Sequence, residues 1–250
     1  MITASIKHEI DLRLKRISDK LVAYGVDAML VSSNVNLYYT SGKVFSGYTY
    51  ITAEGGVSYF VKRPVGLQGE NVIYIRKPEQ MPEFLAHKPS KVALELDSLS
   101  VNDYNRLAKV FAGCEIVDAS AILRELRSIK SEYEIAKLKE CGVRHDDAYK
   151  HIREIYRDGM TDVELQIEVE RELRLKGSLG IFRIHGESME LFMGNVLCGD
   201  NADAPSPYDF AMGGAGLDES LPVGCNGTLI KPGMTVMVDM GGNFNGYMTD

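Results

Sequence analysis

Two aspartates near the end of the chain, Asp239 and Asp250, have the spacing of a pair that works together. The first closes a short apolar run, Val236-Met237-Val238, and the second follows Gly246-Tyr247-Met248-Thr249. Between them lies a turn rich in glycine and asparagine, Gly241-Gly242-Asn243-Phe244-Asn245. With the turn centred on Phe244-Asn245, a hairpin pairs Gly242 with Tyr247, Gly241 with Met248, Met240 with Thr249, and Asp239 with Asp250. Directly opposed residues share a face, with Cβ atoms about 5 Å apart. Two carboxylates at that separation repel, or one of them keeps its proton. A divalent cation reverses the sign of this interaction, because hard cations take carboxylate oxygens. The pattern therefore predicts half of a metal site.

Other chemistry-bearing residues lack such spacing. His8 and His87 are isolated, and His145 and His151, six apart on one helix, fall on different faces, so both are expected to be solvated or locally bonded. Gly213-Gly214-Ala215-Gly216 resembles a phosphate-cradling loop only superficially, since no Lys-Ser/Thr follows it. The cysteines, Cys114, Cys141, Cys198 and Cys225, are scattered and form no C-x-x-C pair. That usage suits reduced thiols and a cytoplasmic location rather than a disulfide framework.

The elements that must position the aspartates fall into two halves. In the first, Ile6, Ile10, Leu14, Ile17 and Leu21 mark one face of a helix that Gly25 ends. Strands are expected at 28–31, 48–52, 57–61, 72–75, 92–96 and 114–117, with a helix from the Ser100 cap through Val110. Ala53-Glu54-Gly55-Gly56 reads as a hairpin turn, and 34–42 as a polar turn with two tyrosines. The alternation of strands and helices predicts an α/β sheet domain over 1–125. In the second half, 126–250, Ser131 with Glu134 and Thr161 with Glu164 form capping boxes that open two helices. The first is expected to run through Tyr156 and the second to stop at Gly177. From Leu179 onward, strands at 181–184 and 191–197 and frequent glycines suggest a meander, and Lys231-Pro232-Gly233-Met234 turns into the strand that carries Asp239.

Bulk properties limit the function classes. With 28 Lys and Arg against 35 Asp and Glu, the chain carries a net charge of −7, so no general attraction to nucleic acid or anionic lipid is expected. No apolar run approaches the ~18 residues of a membrane span, and the charged N-terminus has no secretory h-region.

Several stretches together resemble the creatinase/prolidase/aminopeptidase P family. Asn34-Val35-Asn36-Leu37-Tyr38-Tyr39-Thr40-Ser41-Gly42 resembles a segment of its N-terminal domain. Arg127-Ser128-Ile129-Lys130-Ser131, followed by Glu134-Ile135, resembles the start of its catalytic domain. Ile230-Lys231-Pro232-Gly233-Met234-Thr235-Val236-Met237-Val238-Asp239, with Gly246-Tyr247-Met248-Thr249-Asp250, resembles its first metal-ligand motif. The resemblance implies a creatinase-type N-terminal α/β domain over 1–125. It implies the first part of an α+β pita-bread domain over 126–250. It further implies hydrolysis of Xaa-Pro peptide bonds with two divalent ions, Mn, Co or Zn. Asp239 would hold one ion and Asp250 would bridge both. The family's remaining ligands, a His and two Glu, lie beyond the position of Asp250. This chain alone is therefore expected to be a truncated, inactive form whose ion sites stay vacant. Ser206, after Pro205, stands where the family places a substrate-contacting His; His185 is the nearest His. That departure motivates an alternative, a non-catalytic pita-bread binding or assembly module. Expected partners are a proline-containing peptide and a second copy of the chain.

Overall fold

The computed structural model describes residues 4–181, 193–208 and 213–250. The chain divides into two compact units, Met1–Lys130 and Ser131–Asp250.

In the first unit, α1 (Ala4–Tyr24) leads to β1 (Ala28–Val31), α2 (Asn34–Ser41), β2 (Ser46–Thr52), β3 (Val57–Arg63) and β4 (Val72–Tyr74). After a 3-10 turn at Pro78–Phe84 come β5 (Lys91–Leu94), α3 (Val101–Val110), β6 (Glu115–Asp118) and α4 (Ser120–Ser128). One six-stranded sheet results, in the order β4-β3-β2-β1-β5-β6. β1, β5 and β6 run parallel, β2 runs antiparallel to its neighbours, and β4 is parallel to β3. All four residues of β1 are buried because both sheet faces are covered. Met29 and Val31 join Ile17, Leu21 and Leu123 on one face, while Ala28 and Leu30 join Phe60, Leu107 and Phe111 on the other.

Caps set the helix ends. α1 stops in a Schellman motif: Gly25, at φ 61°, donates its N–H to Val22, and Val26 donates to Leu21. Ser100 accepts the N–H of Asp103 at the start of α3, as its sequence predicts.

The polar stretch 34–42, expected as a turn, is instead the helix α2. The physical cause lies about 60 residues downstream. The buried Glu95 carboxylate accepts from both the N–H and the hydroxyl of Ser32 and of Ser33, and from Asn36 Nδ2 at 2.6 Å. This locks the backbone leading into α2, whose Leu37, Tyr39 and Thr40 are buried. Gly42, at φ 68°, closes the helix.

The second unit starts with α5 (Glu132–Lys150), α6 (Ile152–Ile155) and α7 (Asp162–Leu175). Both capping boxes form as read from the sequence. The helix expected to continue through Tyr156 breaks at His151, whose Nδ1 lies 2.7 Å from the Asp147 carbonyl and whose ψ is −5°. α7 ends in a second Schellman motif at Gly177, with Ser178 donating to Leu173 at 3.0 Å.

The strands of this unit are β7 (Gly194–Cys198), β8 (Val236–Met240), β9 (Gly242–Phe244) and β10 (Tyr247–Thr249). β7 pairs antiparallel with β8, and β9 with β10. Of the expected strands at 181–184 and 191–197, Ile181 is not in a strand, 182–192 lie outside the described residues, and the second is observed as β7. Alternate residues Val196, Cys198, Val238, Met240 and Phe244 cluster with Cys141, Ala148, Leu165, Val169 and Leu173 of α5 and α7. One strand face is thereby given to the helices, and the residues between them, Asn195, Asp239 and Asn243, take the other.

Candidate metal centre

Asp239 and Asp250 come together, but not by the register expected from the sequence. The hairpin turns at Asn245-Gly246, with φ of 51° and 81°, both in the left-handed region that a two-residue type I′ turn requires. Its pairs are Phe244 with Tyr247, Asn243 with Met248, and Gly242 with Thr249. The pairing placed around Phe244-Asn245 is therefore wrong by one residue at the turn, and Asp239 does not oppose Asp250. Asp239 lies on β8, where its cross-strand partner is Asn195 of β7.

The carboxylates nevertheless interact. Burial is the larger cause that raises the pKa of Asp239, and the charge and hydrogen bonding of Asp250 raise it further. Asp239 is half-buried, while Asp250 is exposed. Between them the strand is interrupted at Gly241, whose N–H is held by the Met193 carbonyl at 2.7 Å.

Glycine makes these approaches possible at two points. A Cβ on Gly194 would run into the carbonyl oxygen of Asp239 and lie 2.5 Å from Met240 Cα. A Cβ on Gly242 would lie 2.5 Å from both Phe244 Cε2 and Thr249 Oγ1 and 3.1 Å from His145 Nδ1. A larger residue at Gly194 pushes β7 away from the backbone of β8, and one at Gly242 must displace the Phe244, Thr249 and His145 side chains.

Behind the strands, one face of α5 ties them down. Cys141, His145 and Tyr149 recur every four residues, so they stack along the helix. Cys141 Sγ donates to the Phe244 carbonyl of β9 at 3.0 Å. His145 Nδ1 meets Thr249 Oγ1 of β10 at 2.7 Å, and its ring packs 4.6 Å from that of Tyr149. The Tyr149 hydroxyl accepts the Met240 N–H at 3.0 Å and donates to the Met240 carbonyl of β8. Each of the three strands at the site is thus pinned by one side chain. His145, expected to be solvated or locally bonded, is buried and bonded to a residue 104 positions away. Burial lowers its pKa, and the charge of Asp250 opposes that shift. His151 is locally bonded, to the Asp147 carbonyl. The signal for His145 was present in the sequence as the Cys-x3-His-x3-Tyr spacing, which places three polar groups on a core-facing stripe.

The donor chemistry fits a hard divalent cation: two carboxylates in mutual contact, one held partly out of water, are relieved by a positive charge. Among the described residues no group of three or more His, Cys, Asp or Glu is arranged to hold a metal. Cys198 and Cys225 are poor ligands for it, because burial pushes both thiols up to about 11. Ser206 is half-buried and accepts the Tyr208 N–H at 3.2 Å. His185 lies outside the described residues.

Residues 13–129 match the creatinase/prolidase N-terminal domain, and residues 136–250 match metallopeptidase family M24. The chain belongs to the creatinase/prolidase/aminopeptidase P family. Its first unit is the creatinase-type α/β domain, and the second carries the first part of the pita-bread fold. Among curated relatives, the Bacillus subtilis protein described as an uncharacterized peptidase, YqhT, is 25% identical over 96% of this chain and 63% of its own length. The Xaa-Pro dipeptidase of Pyrococcus horikoshii is 28% identical over 66% of this chain and 48% of its own. A solved structure of the Xaa-Pro dipeptidase from Bacillus anthracis superposes with a TM-score of 0.74 at 19% identity, covering 96% of this chain and 63% of that one. The X-Pro aminopeptidase of Thermotoga maritima gives 0.72 at 18%, over 95% and 63%. These structural likenesses bear on the fold. The chain spans less than two thirds of the length of these relatives. Among the described residues, no helix is long and apolar enough to cross a membrane.

Proposed function

We propose that this chain carries the first two ligands of a metal-dependent Xaa-Pro peptidase, with Asp239 on one divalent ion and Asp250 bridging two. The observation that carries the reading is the coupled carboxylate pair, Asp239 raised by burial and by Asp250, inside the segment matching the M24 family. The relatives described as Xaa-Pro dipeptidases support the substrate class, a short peptide with proline after the scissile bond. Bound at the site, divalent ions supply an acidified water and an electrophilic clamp on the scissile carbonyl oxygen. The protein's own part is to hold the carboxylates in fixed relation, which the ties from α5 accomplish. Mn²⁺ suits carboxylate oxygens best, with Co²⁺ and Zn²⁺ as competitors. Two carboxylates leave most of the coordination sphere to water. These 250 residues alone are therefore proposed to bind metal weakly and to lack turnover. A cytoplasmic, homodimeric enzyme completes the proposal.

Release of free proline from Ala-Pro, with added Mn²⁺, tests the substrate class in the natural gene product. Proline release that disappears with Asp250→Asn is expected. A gene product that binds Mn²⁺ but leaves Ala-Pro intact supports the second reading, a binding or assembly module, which Ser206 in place of the substrate-contacting His favours.

A further inference from the structure

Two buried amide oxygens, Asn195 Oδ1 and Asn243 Oδ1, have no hydrogen-bond partner among the described residues. Leaving such an acceptor unmatched is unfavourable, so each calls for a physical reason. Asn195 has 0% of its surface exposed and stands directly across β7 and β8 from Asp239. Opposed residues share a face, and this is the face turned away from α5 and α7. The other end of the amide, Nδ2, donates to the Gly213 carbonyl at 3.4 Å. The oxygen is therefore the free end. Asn243 repeats the arrangement on the hairpin: it opposes Met248, and by alternation shares that strand face with Asp250 two residues on. An acceptor with no donor beside a carboxylate is electrostatically unfavourable for the same reason as the carboxylate pair itself. A cation on this face would relieve the repulsion between the carboxylates and give a neighbouring amide oxygen a partner.

We propose that Asn195 supplies its amide oxygen as a third oxygen donor to the cation held by Asp239 and Asp250. The proposal rests on the metal-site reading above and adds to it a ligand that neither charge nor the His/Cys/Asp/Glu pattern reveals. Amide carbonyls are ordinary ligands for hard cations, and they add a donor without adding to the repulsion between the carboxylates.

Mn²⁺ alone is the probe, titrated into the 250-residue chain and followed by loss of the six-line electron paramagnetic resonance signal of the free ion. Asn195→Leu, close in size and without the oxygen, is expected to weaken binding by about 10-fold or more, the range seen when a supporting donor is removed. Asn195→Asp, which keeps an oxygen and adds charge, is expected to bind at least as tightly as the unaltered chain. Asp250→Asn is expected to lose binding. Unaltered affinity in Asn195→Leu, together with loss in Asp250→Asn, overturns the role of Asn195 and leaves the metal site standing. Equal, negligible binding by the unaltered chain and Asp250→Asn overturns both. A thermal melt of Asn195→Leu separates lost binding from lost folding. Should that variant unfold, weakened binding by a folded Asn195→Asp overturns the proposal.

Discussion

At the scale of single residues, the proposed metal site depends on two aspartates whose placement is set by the hairpin turn between them. The apolar runs ending in Asp239 and Asp250 mark the strands, but the turn depends on which two residues accept a positive φ. Asn245-Gly246 is the pair suited to it, and choosing Phe244-Asn245 displaces every cross-strand partner. Gly194 was silent in the sequence, because only the three-dimensional approach of β8 shows why no Cβ fits there. Replacing it by Ala is expected to destabilise the chain by about 1–3 kcal/mol, as overpacking does, measured by urea unfolding, and to weaken Mn²⁺ binding by displacing Asp239. Away from the site, Glu79 gives a test with a defined pH sign. Its paired hydrogen bonds from Arg106 lower its pKa to about 2 from an ordinary 4.5. The folded-state value lies below the unfolded one, so the favourable contribution is present above about 4.5 and is lost as the pH falls toward about 2. Carbon-detected NMR of the Glu79 carboxyl is expected to show a midpoint near 2, and Arg106→Ala is expected to return it toward the ordinary value.

At the scale of elements, whatever is encoded locally could be read. The Ser131–Glu134 and Thr161–Glu164 boxes and the Ser100 cap each lie within four residues of sequence, and all form. α2 escaped because its stabilising carboxylate, Glu95, is supplied from the end of β5, and a run of Asn, Ser and Thr otherwise favours turns. α5 was predicted as a helix, but its role as the clamp behind three strands was not, since the partners of Cys141, His145 and Tyr149 are about 90–105 residues away. Tyr149→Phe isolates this role. It removes the hydroxyl that serves both the N–H and the carbonyl of Met240 while keeping the ring. A loss of about 1–3 kcal/mol is expected, with faster hydrogen exchange at the Met240 amide. Exchange at Met240 as slow as in the unaltered chain would show that β7 alone holds β8.

At the scale of the whole molecule, the chain is a creatinase-type domain followed by the opening part of a metallopeptidase domain, and the two assemble by different means. The first unit buries a sheet on both faces, a pattern written in the near-continuous apolar runs of β1 and β5. The second gives one strand face to its helices and keeps oxygen-bearing side chains on the other, a division that emerges only once the strand pairing is known. On this second face, Asp239 and Asp250 are proposed to bind a divalent cation. Calorimetric titration of Mn²⁺ into the unaltered chain and into Asp239→Asn and Asp250→Asn tests it directly. Weak but saturable binding by the unaltered chain, lost in both variants, is predicted. Indistinguishable titrations for all three proteins would contradict it and leave the aspartates as ordinary strand-end residues.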